Sequence, residues 1–257
     1  MNRDPQLWKS QLRMIDQAQQ EGLDIRGQVI SRPIGVLMGH PATMSPFRYR
    51  PTFRELVELP TQQRLEKLRD PVIKARILAE DNVNPHIFVK LLSKRFDLMF
   101  PLEDPIEYLP AKDSCVTEQA RQAGQDPEEW LYDYFLGNDG NNLIYIPGTS
   151  SSEEVISTLL AQGIHMLTRQ PAQLFSLNDR GLIAEGMKAD INIIDFDSLK
   201  LHSPHIVNDL PTGGKRFLQN AEGIDATLVS GQLIYSHGEA TGALPGKLIR
   251  GMRAAPG

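Results

Sequence analysis

Residues 167–192 read LTRQPAQLFSLNDRGLIAEGMKADIN. Pro171-Ala172 lets a helix in this stretch pack closely, and Gly181 and Gly186 are places where the chain can turn. Ala189-Asp190 then opens the run DINIID, Asp190–Asp195, whose isoleucines predict a strand. Further on, Ala226–Ser230 (ATLVS) and Gln232–Ser236 (QLIYS) read as two more short strands, with Ser230-Gly231 between them as a tight-turn signal. The texture changes from about Leu182 onward. The sequence therefore predicts an α/β part over residues 1–185 and a β-rich part over residues 186–257.

Upstream, helices and strands alternate in the rhythm of an α/β layer. Asp4-Pro5 opens a helix reaching about Gln20, with Leu7, Trp8, Leu12, Ile15 and Ala18 at helical spacing and Gly22 as the stop. Leu23–Ser31 (LDIRGQVIS) alternates and reads as a strand. Residues 32–50 (RPIGVLMGHPATMSPFRYR) hold three prolines and read as a long loop, the kind that often carries function. Helices resume at Phe53–Leu59 and Thr61–Glu80, the latter divided by Asp70-Pro71. Phe96–Pro101 and Asn142–Pro147 read as strands, and Asp113–Ala123 and Pro127–Leu136 as helices capped by Asp113 and Asp126. Ser151-Ser152-Glu153-Glu154 has the character of a capping box.

Composition narrows the function. The 257 residues are 40% hydrophobic and 23% charged, and 27 Lys plus Arg against 32 Asp plus Glu give a net charge of −5. That balance gives no electrostatic reason to expect nucleic acid or an anionic membrane as partner. Cys115 is the single cysteine, so no internal disulfide forms. No apolar run approaches a membrane span, and no apolar h-region follows the first residues, so a cytoplasmic protein is expected.

The side chains alone assemble no complete active site. The six histidines form no His-x-His and no HExxH, so no metal ligand is assigned. His202-Ser-Pro-His205 is interrupted by Pro204, and Gly213-Gly214-Lys215 reads as a turn. Glu128-Glu129 and Glu153-Glu154 fall in first helical turns, where the macrodipole favours them. Cys115 reads as a small packed residue. His40 stands out because it shares the long loop with Arg48 and Arg50, beyond an expected strand, where α/β enzymes place their sites.

The string over residues 167–192 resembles the C-terminal signature of the amidohydrolase superfamily, a helix with T-x-x-P-A leading to D-R-G-x-I-x-x-G-x-x-A-D. Val229-Ser230-Gly231-Gln232 and the tail Gly238–Arg250 resemble the N-acyl-D-amino-acid deacylase (D-aminoacylase) branch. Leu23–Pro33 is similar to a late barrel strand and its loop in that branch, and Ser151–Leu160 to a later barrel helix. The resemblance implies a partial (β/α) TIM-type barrel of the metal-dependent hydrolase kind with a small C-terminal β-sandwich portion. It implies zinc as cofactor and, as activity, hydrolysis of the linear amide of an N-acyl-D-amino acid.

The departures from that family weigh as much. The His-x-His, the further metal ligands on early strands and the general-base Asp after the SEEV helix are all missing from this sequence. The resemblance thus corresponds to the second half of a longer enzyme, and this chain by itself is expected to be weak or inactive. Arg32 and His40 are the positional candidates for substrate binding, with Arg48 and Arg50 as further guanidinium groups for a substrate carboxylate. The expected partners are a small-molecule N-acyl amino acid and either a second copy or a complementing N-terminal half. The alternative is a non-catalytic remnant acting through association with another chain.

Overall fold

The structure is a computed structural model that describes residues 7–27, 34–148, 163–165 and 167–251. It divides into two units, Met1–Ser152 with His205–Phe217, and Glu153–Pro204 with Leu218–Gly257. The architecture is mixed α/β.

In the first unit the chain runs α1 (Leu7–Gln20), β1 (Gly35–Met38), α2 (Pro51–Leu56), α3 (Thr61–Leu68), α4 (Pro71–Ala79), α5 (Ile87–Leu92), β2 (Phe100–Pro101), α6 (Val116–Ala123), α7 (Pro127–Gly140) and β3 (Ile144–Pro147). Proline and aspartate set two of the helix starts. Asp70 accepts from the Val72 amide at 2.8 Å, and Asp126 from the Glu128 and Glu129 amides at 2.8 and 3.3 Å, with Pro71 and Pro127 in the first turns. The strands form a three-stranded antiparallel sheet in the order β1-β3-β2, with Met38 opposite Ile144 and Phe100 opposite Tyr145. Met38 and Ile144 from the sheet pack with Phe47, Phe53, Leu68, Ile77, Tyr132 and Phe135 in the core.

Several sequence expectations shift here. Residues 23–27 are exposed and unpaired as a strand, and the Ile25 carbonyl accepts from Gln19 Nε2 at 2.8 Å instead of from a neighbouring strand. The remainder of that segment, Arg32 included, lies outside the described residues, as do residues 151–160. The long loop contains a strand, because Gly35–Met38 pairs with Ile144–Pro147. Residues 96–101 begin as a 3₁₀ turn, Phe96–Leu98, and only Phe100–Pro101 joins the sheet. Asp113 lies in a 3₁₀ turn, and Cys115 stands in extended backbone at the start of α6, so Asp113 does not cap that helix. The sheet strands pair antiparallel, where a (β/α) barrel requires parallel neighbours joined by crossovers. No closed barrel forms among the described residues.

The second unit explains the string quoted first. Helix α8 (Arg169–Leu174) buries Ala172 and ends in bonds to its own last carbonyls. Arg180 then grips Asp179 with two parallel bonds, at 2.8 and 2.9 Å, and reaches Asp190 at 3.2 Å. Asp190 in turn accepts from the Ser230 amide at 2.9 Å. One guanidinium therefore ties the turn after α8 to the start of strand β4 (Ile191–Ile194) and to a distant turn. Strand β4 is followed by β5 (Lys200–Leu201). The ribbon of β6 (His205–Val207) and β7 (Arg216–Leu218) comes next along the chain and belongs to the first unit as far as Phe217. The second unit resumes with β8 (Ala221–Glu222), β9 (Ile224–Val229), β10 (Gln232–Ser236) and β11 (Glu239–Ala240). A four-stranded antiparallel sheet has the order β11-β10-β9-β4. Ser230 (φ 53°) and Gly231 (φ 76°) make the two-residue link between β9 and β10, the positive-φ pair that matches strand twist.

Gly181 is fixed twice over. Its φ is +82°, and a Cβ there would lie 2.8 Å from both the Ala172 Cβ and the Thr168 carbonyl oxygen. Gly181→Ala is therefore expected to lower unfolding stability by about 1–3 kcal/mol. Gly163→Ala, where an added Cβ meets nothing within 4 Å, should stay within about 0.5 kcal/mol. Chemical denaturation of the two variants checks this, and equal stabilities would contradict it.

Candidate functional site

The segment between β1 and α2 is held by backbone and side-chain bonds from three directions. Gly39 N donates to the Met44 carbonyl at 3.1 Å, and Ser45 Oγ accepts from the Phe47 amide at 3.3 Å. Asn82 clasps the segment from outside, accepting from the Tyr49 amide at 3.1 Å and donating to the Pro46 carbonyl at 2.8 Å. Thr52, just beyond, gives both its amide and its hydroxyl to Glu80, at 2.9 and 2.5 Å. This stretch is a packed part of the core's wall.

Arg50 corrects a sequence expectation. Its side chain is 2% exposed, so it is not offered to a substrate carboxylate. Nη1 donates to the Ile77 carbonyl at 2.7 Å, Nη2 pairs with Glu128, and the guanidinium lies 5.0 Å from the centroid of the Phe47 ring. The macrodipole reading of Glu128-Glu129 is likewise incomplete. Glu128 neutralises Arg50, while Lys74 bridges Glu129 and Asp133 at 2.9 Å each. Lys74 is held above its ordinary value by those two carboxylates, against the opposing pull of its own desolvation. No spacing in the sequence announces either pair, because the partners are 78 and 55 residues apart.

His40 lies inside the core and is 4% exposed. Phe135, Phe53 and Tyr132 surround it with ring centroids at 5.3, 5.6 and 6.0 Å, and neither ring nitrogen has a hydrogen-bond partner in the structure. Burial pushes the imidazole down to about 3, and the nearby Arg64 adds to the shift. The ring is neutral at physiological pH. Tyr132 donates to the Leu68 carbonyl at 2.8 Å, and burial raises its phenol far above the ordinary range.

The other singled-out residues separate. His202 pairs with Glu222 at 2.5 Å, while His205 lies in β6. Cys115 is buried and free. Among the described residues no group of three or more His, Cys, Asp or Glu is placed to hold a metal ion. The described residues thus offer no donor set that fits zinc, and no chemical step is derived through it. No helix among the described residues is long and apolar enough to cross a membrane.

Comparison with known proteins identifies one stretch. Residues 154–235 match the model of an amidohydrolase family. No curated protein and no solved structure matches the chain. The matched stretch includes α8, the Asp179–Arg180–Asp190 network, and strands β4 to β9 with most of β10. It supports the amidohydrolase superfamily for this part of the chain, and a hydrolase function in general.

The folded-state value of His40 lies below the ordinary 6.5. The unfolded chain therefore binds the proton more readily between those two values. The stability that His40 contributes is complete above pH 6.5 and is lost as pH falls toward 3. Lowering pH from 7 to 5 should cost about 2 kcal/mol through this residue alone. His40→Phe, which keeps a ring in the aromatic cage, should lose about that much of the acid sensitivity. Denaturant melts of both proteins at the two pH values measure it, and identical pH slopes would contradict the assignment.

Proposed function

We propose that the chain serves hydrolysis of the linear C–N amide bond of an N-acyl amino acid, of the D series, as an amidohydrolase of the D-aminoacylase-like branch. The observation that carries this reading is the family match over residues 154–235. It falls on a stretch whose Asp179–Arg180–Asp190 bonds give the motif a physical purpose. In this reading the α/β part supplies late strands and helices of a barrel, and the sheet β11-β10-β9-β4 supplies part of a β-sandwich.

A metal-dependent amidase needs its ion, a deprotonated water and a base in one place. The sequence carries no His-x-His, so the metal-binding motifs are supplied by a complementing segment, and this chain by itself is weak or inactive. Arg32, followed by Pro33 at the head of the segment leading into β1, is assigned to the substrate carboxylate. A guanidinium can grip such a group with two parallel hydrogen bonds. A cytoplasmic setting is part of the proposal, supported by the single cysteine.

The test joins this chain to the N-terminal barrel half of a D-aminoacylase-like relative, loads zinc, confirms a cooperative melt and measures release of free amino acid from N-acyl-D-amino acids. Hydrolysis is expected. Arg32→Ala should raise KM by about 10- to 150-fold with kcat little changed, the effect of losing a charge-assisted hydrogen bond worth ~1.5–3 kcal/mol. A folded, zinc-loaded chimera that leaves these amides intact would overturn the proposal. An unchanged KM would remove Arg32 from it.

A further inference from the structure

The chain from Lys200 to Glu222 forms one long hairpin with a break in it. Its base is the pair β5–β8, with Lys200 opposite Glu222 and Leu201 opposite Ala221. Its outer part is the ribbon β6–β7. The strands are interrupted over residues 202–204 and 219–220, and Pro204 lacks the N–H that a continuing ladder would use. The boundary between the two units falls at the same place. His205–Phe217 belongs to the first unit, while Pro204 and Leu218 on either side belong to the second.

Each part of the hairpin is braced internally. At the base the His202 amide donates to the Asn220 carbonyl at 3.0 Å, Gln219 Nε2 donates to the His202 carbonyl at 2.8 Å, and the His202 ring pairs with Glu222 at 2.5 Å. In the outer ribbon Arg216 grips Asp209 with two parallel bonds, at 2.8 and 2.6 Å. The Leu210 amide closes the tip on the Gly214 carbonyl at 3.3 Å, and the Gly213 amide returns to the Leu210 carbonyl at 3.0 Å. The outer ribbon is held to the rest of the first unit far more lightly. None of residues 205–217 is buried. Among the described residues one hydrogen bond joins it to the remainder of that unit, from the exposed Lys215 through Nζ to the Pro41 carbonyl at 3.3 Å. A stiff piece with few buried contacts, set beyond a break in its strands, has the construction of a hinged element.

We propose that the β6–β7 ribbon is a hinged strap, pivoting at residues 202–204 and 218–220 and latched by Lys215 to the Pro41 carbonyl. Pro41 directly follows His40 in the segment after β1, so the latch gives that segment a covered and an uncovered state. A single exposed hydrogen bond is weak enough to open and directional enough to define the closed position. The Arg216–Asp209 clamp keeps the ribbon in one piece as it lifts. The device is independent of the amide chemistry proposed above.

Spin labels on Leu210→Cys and Glu55→Cys, both exposed positions, measure the distance from the ribbon's tip to α2 in the full chain, with the buried Cys115 left unlabelled. One dominant distance, that of the latched strap, is expected in the parent. Lys215→Met, which removes the donor from an exposed position, should raise the ratio of lifted to latched molecules about tenfold. Amide exchange at Leu210 and Gly213 should be the same with and without Lys215→Met, because the ribbon moves as a piece. An unchanged distance distribution in Lys215→Met would show that there is no latch and would overturn the proposal. Faster exchange at the two tip amides would overturn it as well, since the ribbon would then be unfolding where the proposal has it pivot.

Discussion

A guanidinium buried in an apolar core is tolerated only when its charge is answered, and Arg50 is the point at which the first unit meets that constraint. Its three contacts come from separate pieces of chain: the Ile77 carbonyl on α4, the Glu128 carboxylate on α7 and the Phe47 ring on its own segment. The side chain thus fixes the distance between two helices and the segment after β1. That segment carries His40 into its aromatic cage. If the Arg50 contacts loosened, the core wall and the buried His40 ring would lose their reference.

The second unit repeats the logic at lower burial. Arg180 spans Asp179 and Asp190, and Asp190 passes the connection to Ser230. In both units an arginine joins elements that the hydrophobic contacts alone would leave free to slide. The family match to residues 154–235 covers the second of these networks. The conspicuous motif of this chain therefore has a structural cause that can be read bond by bond.

What was legible in the sequence is what local chemistry determines. Asp70 and Asp126 cap helices because an aspartate followed by proline suits the position before a first turn. Ser230-Gly231 turns β9 into β10 because its two residues accept positive φ. Over residues 23–27 the alternation misled, because alternation makes a strand only where a neighbour exists to pair with. Gly35–Met38 was hidden among prolines, since its partner Ile144–Pro147 lies more than a hundred residues away. Arg50 looked like a surface cation for the same reason: Glu128, 78 residues on, is what draws it inward. Of the site residues, His40 was visible as unusual, but its burial follows from Phe53, Tyr132 and Phe135 closing around it.

The dependence of the first unit on Arg50 is open to a double-mutant cycle with Arg50→Met and Glu128→Gln, read by denaturant unfolding. Removing the arginine alone strands the Glu128 carboxylate and should cost about 3–5 kcal/mol. The two changes together should cost less than the sum of their separate effects, by more than about 1 kcal/mol. Effects that add to within about 0.5 kcal/mol would show that the pair is incidental and would contradict the account.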